Sequence, residues 1–211
     1  MVVVIGSDRM VVETRHGASL PTMEMNNNEP EKFKNIYRIP SARLKNWDYS
    51  SDGWYFVTIC VRNHECVFGD VVNGEMVLND IGTMVKQFWQ EIPMHFKNAG
   101  LDEFIVMPNH VHGIVIIDNT DEFGICRDAP WRVSTTKFGG LKKGSLSLIM
   151  NHFKGSVTRW CHSHGFEDFQ WQSRFHDHII GNDKSLQNIR NYIHFNVEKW
   201  QDDQEHPKNF I

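Results

Sequence analysis

The segment that most constrains the fold runs from Met107 to Ile117 and reads Met-Pro-Asn-His-Val-His-Gly-Ile-Val-Ile-Ile. Its Pro-Asn pair predicts a turn, and the alternating residues that follow predict a strand. Successive side chains of a strand point to opposite faces, so His110 and His112 project from one face, about 7 Å apart. Two imidazoles at this spacing can share a divalent cation. The spacing alone is, however, more often that of two polar residues on a half-exposed strand.

The remaining elements are predicted from propensity, periodicity and turn chemistry. In chain order they are a strand over Trp54–Val61, a hairpin about Asn73-Gly74, a helix capped by Asp80 that stops near Pro93, a strand over Glu103–Met107, a strand over His110–Ile117, a helix from Ser145 or Ser147 to about Ser163, a strand within Gln170–Ile180, and a helix from Ser185 to about Trp200. Without the hairpin, this order is βαββαβ plus one terminal helix. It predicts an α+β protein with a ferredoxin-like antiparallel sheet and helices on one side, to which the hairpin and the C-terminal helix are added.

The predicted C-terminal helix carries a second group of polar side chains. At about 100° per residue, Tyr192, Asn196 and Lys199 fall on one flank, beside the apolar stripe. An isolated tyrosine on a helix is usually only a surface residue. Beside a cation, however, a phenol with an ordinary pKa of about 10 can become a nucleophile. Its attack on a phosphodiester would leave a phosphotyrosine link and a free hydroxyl, so strands could later be rejoined.

These two stretches carry a resemblance to a known family. The segment from Met107 to His112 resembles the His-hydrophobic-His ("HUH") motif of one-tyrosine single-stranded-DNA transposases, and the segment from Tyr192 to Trp200 resembles the tyrosine helix of their REP-associated branch. Further matching segments are Tyr49-Ser50-Ser51, Tyr55–Ile59, Asn73–Met76, Trp171-Gln172 and His178–Ile180. The resemblance implies a ferredoxin-like fold, Mg²⁺ or Mn²⁺, a 5′-phosphotyrosine intermediate, and substrates folded as imperfect hairpins.

The resemblance also assigns roles by position. His110 and His112 take the metal roles and Tyr192 that of the nucleophile. Asn196 stands one helical turn beyond the tyrosine, where some relatives carry a Gln ligand, and is expected as a third ligand. The branch commonly has Asn-Pro in this helix, whereas Val197 follows Asn196 here.

Other polar side chains are candidates for supporting roles. His176, Asp177 and His178 repeat the strand spacing and are candidates to support the site or contact DNA; a metal role for them is the weaker alternative. Basic residues that could contact phosphates, with a solvated surface role as the equal alternative, are Arg43, Lys45, Lys142, Lys143, Lys154, Arg159 and Lys199. Two of these lie in a basic, glycine-containing loop predicted at residues 118–144.

The domain prediction has three parts: an N-terminal extension at 1–40, expected to be flexible, a transposase domain at 41–203, and a polar tail at 204–211. The formal charge of −4 argues against a sequence-blind nucleic-acid coat but permits a local basic groove. Four cysteines without a C-x-x-C pair are typical of a reducing compartment. No apolar run could span a membrane, so a cytoplasmic protein is expected.

The sequence therefore predicts a metal-dependent enzyme that cleaves and rejoins single-stranded, hairpin-forming DNA, as a homodimer or as a monomer. Two alternatives remain open at this point. One is a non-cleaving regulator that binds DNA hairpins and derives from such a transposase. The other is a metal-dependent phosphodiesterase that activates water, for which Tyr192 would be dispensable.

Overall fold

The computed structural model of the chain describes residues 32–33, 36–37, 44, 47–120 and 141–210. The chain divides into two units, Met1–Ser41 and Ala42–Ile211. In the first unit, β1 (Lys32–Phe33) and β2 (Ile36–Tyr37) form an antiparallel pair. Most of the extension expected at 1–40 and most of the basic loop expected at 118–144 lie outside the described residues. The flexibility of the extension and the three-part domain division stay predictions.

The second unit contains the elements that form the sheet and its helices. In chain order these are β3 (Gly53–Cys60), β4 (Gly69–Val72), β5 (Glu75–Leu78), α1 (Asp80–Gln90), α2 (Ile92–His95), β6 (Ala99–Val106), β7 (His110–Ile117), α3 (Leu146–Ser163), β8 (His176–Ile180) and α4 (Asp183–His194). Four strands pair antiparallel in the order β6-β7-β3-β8, and β4 and β5 form a separate hairpin. This order confirms the predicted α+β fold with an antiparallel ferredoxin-like sheet.

One face of the sheet forms the main hydrophobic core under α1 and α3. The odd-numbered positions of β3 and β7 point into it, together with the apolar stripes of the two helices. Gly113 of β7 allows the closest approach, because a Cβ there would lie 2.3 Å from Cζ2 of the buried Trp89 of α1. A side chain at this position would overpack the core, at a cost of about 1–3 kcal/mol.

The even-numbered positions of the same strands form the opposite face, which α4 covers. This face contains Phe56 and Thr58 of β3 and both histidines of β7. Ile193 of α4 is buried against it. The central strand β7 is therefore enclosed on both faces, which places polar side chains in a protected layer beneath α4. Among the described residues, no helix is both long and apolar enough to cross a membrane.

Several boundaries differ from the sequence prediction, among them the start of β6, which is Ala99 rather than Glu103. The cap of α1 is Asn79, whose Oδ1 accepts from Gly82 N at 3.0 Å, rather than Asp80, which is the first helical residue. Helix α4 ends at His194 instead of continuing to Trp200, and Trp200–Asp202 form a separate 3₁₀ turn. Asn196 and Lys199 consequently lie beyond the helix that carries Tyr192, so the predicted helical ridge stops after its first member.

Candidate metal and nucleophile site

The centre of the site is the histidine pair at the start of β7. His110 is 0% exposed and His112 is 3% exposed, and their ring centroids lie 4.3 Å apart. Alternation along β7 places both rings on one face, as the sequence predicts, and α4 covers that face. Two buried imidazoles in contact are costly unless each ring nitrogen finds a partner or a ligand.

The orientation of His110 is determined by Asn109. The amide nitrogen of Asn109 donates to the backbone oxygens of His64 at 2.9 Å and Glu205 at 2.7 Å. Its Oδ1 therefore faces His110 Nδ1 at 2.8 Å and accepts a hydrogen bond from it. With the proton on Nδ1, His110 Nε2 carries a free lone pair. This atom is buried and has no hydrogen-bond partner among the described residues.

His112 is held from both sides. Its Nδ1 lies 2.8 Å from Thr58 Oγ1, and its Nε2 lies 3.1 Å from the hydroxyl of Tyr192. The ring also stacks on Phe56, with centroids 5.4 Å apart. These contacts fix the plane of the imidazole as outer partners of metal-binding histidines do.

Tyr192 reaches the pair from the last turn of α4. Its ring packs edge-on against Phe56, and its centroid lies 5.1 Å from that of His112. The residue as a whole is 42% exposed, although its hydroxyl points into the layer beneath the helix. A substrate in solvent can therefore approach one side of the phenol while the histidines hold the other.

The third member of the cluster is Asp203, which follows the short 3₁₀ turn. One ligand atom from each of His110, His112 and Asp203 lies within 4.8 Å of the others, and all three residues are buried. Asn196 Nδ2 donates to Asp203 Oδ2 at 3.0 Å. Two neutral nitrogens and a carboxylate suit a divalent cation, and the unpartnered His110 Nε2 is an atom that such an ion would satisfy. This group could hold a metal.

Burial controls the electrostatics of the cluster. It lowers the pKa of His110 to about 3, with the charge of His64 acting in the same direction. Burial also holds the pKa of His112 well below its ordinary value, and the neighbouring His110 adds to this effect. Both rings are thus neutral at pH 7, which is the protonation state that a metal requires.

Tyr192 shows the opposite shift. Burial raises the pKa of its hydroxyl above the ordinary value, and the Asp203 carboxylate adds to that rise, while the Asn196 side chain opposes it by hydrogen bonding. Without a nearby cation, the phenol therefore stays protonated at neutral pH.

The second histidine pair lies on the same face but at the edge of the sheet. Cross-strand register places His176 opposite Thr58 and His178 opposite Phe56. Both histidines are exposed, and Asp177 between them is half-buried. They border the site on its β8 side, so their predicted supporting role stays open to test.

Five of the seven residues predicted to contact DNA lie in the described part of the chain, and their role stays a prediction. Lys142, Lys143, Arg159 and Lys199 are exposed, and Lys154 is half-buried with its amine donating to the Gln172 backbone oxygen. Burial lowers the pKa of Lys154 to about 8. Lys142 pairs with Asp48, and Lys154 and Arg159 lie on α3, on the other side of the sheet from Tyr192. Arg43 and Lys45 lie outside the described residues.

Three residues of the site had no assigned role in the sequence prediction. Asn109 is part of the motif itself, and a buried asparagine beside a ligand histidine is a signal that could have been used. Thr58 lies on a strand that was predicted, but only register pairs it with His112. Asp203 lies in the acidic stretch Asp202-Asp203-Gln204-Glu205, which has no periodicity to distinguish one carboxylate from the next.

The chain is similar to proteins of known sequence and structure. No protein-family model matches the chain. An uncharacterized protein of Haemophilus influenzae is 40% identical over 173 residues, which cover 80% of this chain and 93% of that protein. A solved REP-associated tyrosine transposase bound to a REP hairpin is 18% identical, with a TM-score of 0.49 over 76% of this chain and 74% of that one.

Proposed function

We propose that the chain is a metal-dependent transposase that cleaves and rejoins single-stranded, hairpin-forming DNA through Tyr192. The chain belongs to the same family as the uncharacterized Haemophilus influenzae protein. The observation that carries the proposal is the 3.1 Å contact between the Tyr192 hydroxyl and His112 Nε2, at the edge of a buried His-His-Asp cluster. The motif resemblance of the segments around His110 and Tyr192 supplies the reaction class.

The donor set fits the implied cation. His110, His112 and Asp203 would hold it, and Asn196 keeps Asp203 in place through its amide nitrogen. Asn196 Oδ1 is buried and has no hydrogen-bond partner among the described residues, so the predicted ligand role of Asn196 remains part of the proposal. A divalent ion held there would polarise a phosphate oxygen and offset the Asp203 charge that disfavours the tyrosinate.

The residues of the chain then perform a simple displacement. The Tyr192 phenol loses its proton to water, and its oxygen forms a bond to the phosphorus of the scissile phosphodiester. The bond from that phosphorus to the 3′-oxygen breaks, and the leaving oxygen takes up a proton. The products are a 5′-phosphotyrosine and a free 3′-hydroxyl, which can reverse the reaction or attack another joined end.

The position of Tyr192 allows a DNA strand to reach the hydroxyl while the metal side is shielded from water. The hydroxyl contacts the buried histidines, whereas 42% of the residue is exposed at the end of α4. An unpaired strand can approach from solvent, while water is excluded from the metal side. Exclusion of water from the linkage would favour rejoining over hydrolysis.

The experiment uses a library of end-labelled DNA hairpins with single-stranded flanks, incubated with the protein and Mn²⁺. We expect a denaturant-resistant protein-DNA adduct whose DNA is linked to Tyr192 by mass spectrometry. Tyr192→Phe should bind the same hairpins and form no adduct. Tyr49→Phe is the matched control, because it removes a tyrosine hydroxyl outside the cluster, one that accepts from Leu44 N.

The outcomes separate the alternatives. Cleavage by Tyr192→Phe at the wild-type yield would contradict the nucleophile assignment and indicate a phosphodiesterase that activates water. Hairpin binding by the wild-type protein without any adduct in Mn²⁺ or Mg²⁺ would contradict the enzyme and indicate a hairpin-binding regulator.

A further inference from the structure

The segment that supplies Asp203 contacts the turn after β3 through the side chain of His64. Beyond the turn Trp200–Asp202, Glu205 Oε2 lies 3.1 Å from His64 Nδ1. The Phe210 ring stacks on the His64 ring with centroids 3.5 Å apart and planes within 9°. The residues predicted as a polar tail at 204–211 thus pack against the turn that follows β3, as far as residue 210.

A third contact orients the His64 ring for this attachment. Gln172 Nε2 lies 3.0 Å from His64 Nε2 and donates to it. The other ring nitrogen, Nδ1, faces the Glu205 carboxylate in an ion-pair contact that lacks hydrogen-bond geometry. The flat face of the imidazole lies on Phe210.

Asn109 joins this attachment to the histidine pair. One amide nitrogen donates to the backbone oxygens of both His64 and Glu205, and the amide oxygen of the same side chain accepts from His110 Nδ1. Glu205 N in turn donates to Asp203 Oδ1 at 2.7 Å. A continuous set of contacts therefore runs from His64 through Glu205 to Asp203, and through Asn109 to His110.

We propose that His64 and Glu205 form a clamp that positions Asp203 against His110 and His112, and that the affinity of the metal site depends on this clamp. His64 and Glu205 are positioning residues in this account, since neither belongs to the ligand cluster. The inference rests on the metal site of the proposed function. It adds to that site a mechanism by which the segment after α4, which has no α-helix or strand, supplies the ligand Asp203.

The physical reason is conformational entropy. Asp203 lies outside the sheet and the α-helices, and its carboxylate accepts from the Asn196 side chain and from Glu205 N of the local turn. Fixing the backbone of one residue costs about 1–2 kcal/mol, so a released segment would rarely present Asp203 in the binding geometry. Outer partners of metal ligands commonly change affinity by about 10–100-fold when removed.

The test measures Mn²⁺ binding by calorimetry and the visible absorption of the Co²⁺-substituted protein, both without DNA. We expect Glu205→Ala to weaken Mn²⁺ binding by about tenfold or more and to alter the Co²⁺ spectrum, which reports the ligand set. His64→Phe should do the same, because it keeps an aromatic ring on Phe210 but removes both nitrogens. Asp202→Ala is the matched control in the same segment, since Asp202 is exposed and lies 4.0 Å from Lys208; we expect its affinity within about twofold of wild type.

The result that would overturn the clamp is wild-type Mn²⁺ affinity and an unchanged Co²⁺ spectrum in both Glu205→Ala and His64→Phe. Because the two substitutions act on different residues, a folding defect in one leaves the other to decide. Asp203→Asn separates this failure from failure of the proposed function. If Asp203→Asn also binds as wild type, the metal site itself is wrong; if it alone loses the metal, only the clamp is wrong.

Discussion

The sheet contains two His-x-His pairs with the same spacing and different surroundings. His110 and His112 lie on β7, which has a neighbouring strand on each side, whereas His176 and His178 lie on β8, an edge strand. Both pairs project from the same face, because Thr58 of β3 is the register partner of His112 on one side and of His176 on the other. The first pair is buried and the second is exposed.

The comparison shows that spacing alone does not make a metal site. Strand alternation brings both pairs of imidazoles to the same face. Only the central pair lies in a layer closed by α4, with ring nitrogens oriented by Asn109 and Thr58 and a carboxylate within reach. Burial and orientation by outer partners distinguish a ligand pair from two solvated side chains.

The largest expected effect is a difference in Mn²⁺ affinity between alanine variants of the two histidine pairs. His110→Ala should weaken Mn²⁺ binding by about 100-fold or more, because it removes a ligand with a free, buried lone pair. His176→Ala, which removes an imidazole from the equivalent face of the edge strand, should change the affinity by less than about twofold. Calorimetric titration of both variants, with thermal melts to confirm folding, measures the difference. Equal losses in the two variants would refute the distinction between the pairs.

A second effect follows from the depressed pKa of His110. In the metal-free protein, the unfolded chain protonates this ring below its ordinary pKa of about 6.5, whereas the folded protein does so only near its pKa of about 3. The unfolded state therefore binds more protons in this window, and stability falls as the pH falls from 6.5 towards 3. The contribution of His110 is about 1.4 kcal/mol per pH unit.

Urea unfolding in EDTA between pH 7.5 and pH 5 measures this slope. His110→Gln should show a shallower decline in the free energy of unfolding below pH 6.5 than the wild-type protein. Parallel curves for the two proteins would mean that His110 is not held neutral by burial.

The smallest expected effect is a change in Mn²⁺ affinity that depends on a difference between the two central histidines. The Nε2 of His110 has no hydrogen-bond partner among the described residues, whereas the Nε2 of His112 contacts the Tyr192 hydroxyl. The hydrogen bond from the Tyr192 hydroxyl competes with a cation for the lone pair of His112 Nε2. Such a bond is worth about 1 kcal/mol, which corresponds to about a fivefold change in Mn²⁺ affinity. Tyr192→Phe should therefore strengthen Mn²⁺ binding about fivefold, while Tyr49→Phe leaves it unchanged. A weakened affinity in Tyr192→Phe would indicate that the phenol oxygen is itself a ligand.

Local sequence signals were sufficient for most of the fold. The Asn73-Gly74 turn has positive φ at both residues, as its hairpin requires, and the strand after Pro108-Asn109 has the predicted limits. The order of strands and helices was enough to predict the four-stranded antiparallel sheet. Each of these features depends on residues adjacent in the chain or on a period of two or 3.6 residues.

The parts that could not be predicted depend on contacts between distant residues. The apolar spacing continues to Trp200, but the helix stops at His194, and Trp200 becomes buried through a 3₁₀ turn instead. Asn196 therefore reaches the site from a turn, and Asp203 reaches it from a segment with no periodic signal. The amide orientation of Asn109 depends on backbone oxygens at residues 64 and 205, which no local pattern connects.

The most direct test of the account is a crystal structure of the protein with Mn²⁺, using anomalous scattering to locate the ion. We expect one strong peak at the β7 pair, about 2.0–2.3 Å from ligand atoms of His110, His112 and Asp203, with the Tyr192 oxygen beside it. A peak bound by His176 and His178, or a peak at the central pair with Tyr192 turned away into solvent in both the free and the DNA-bound protein, would contradict it.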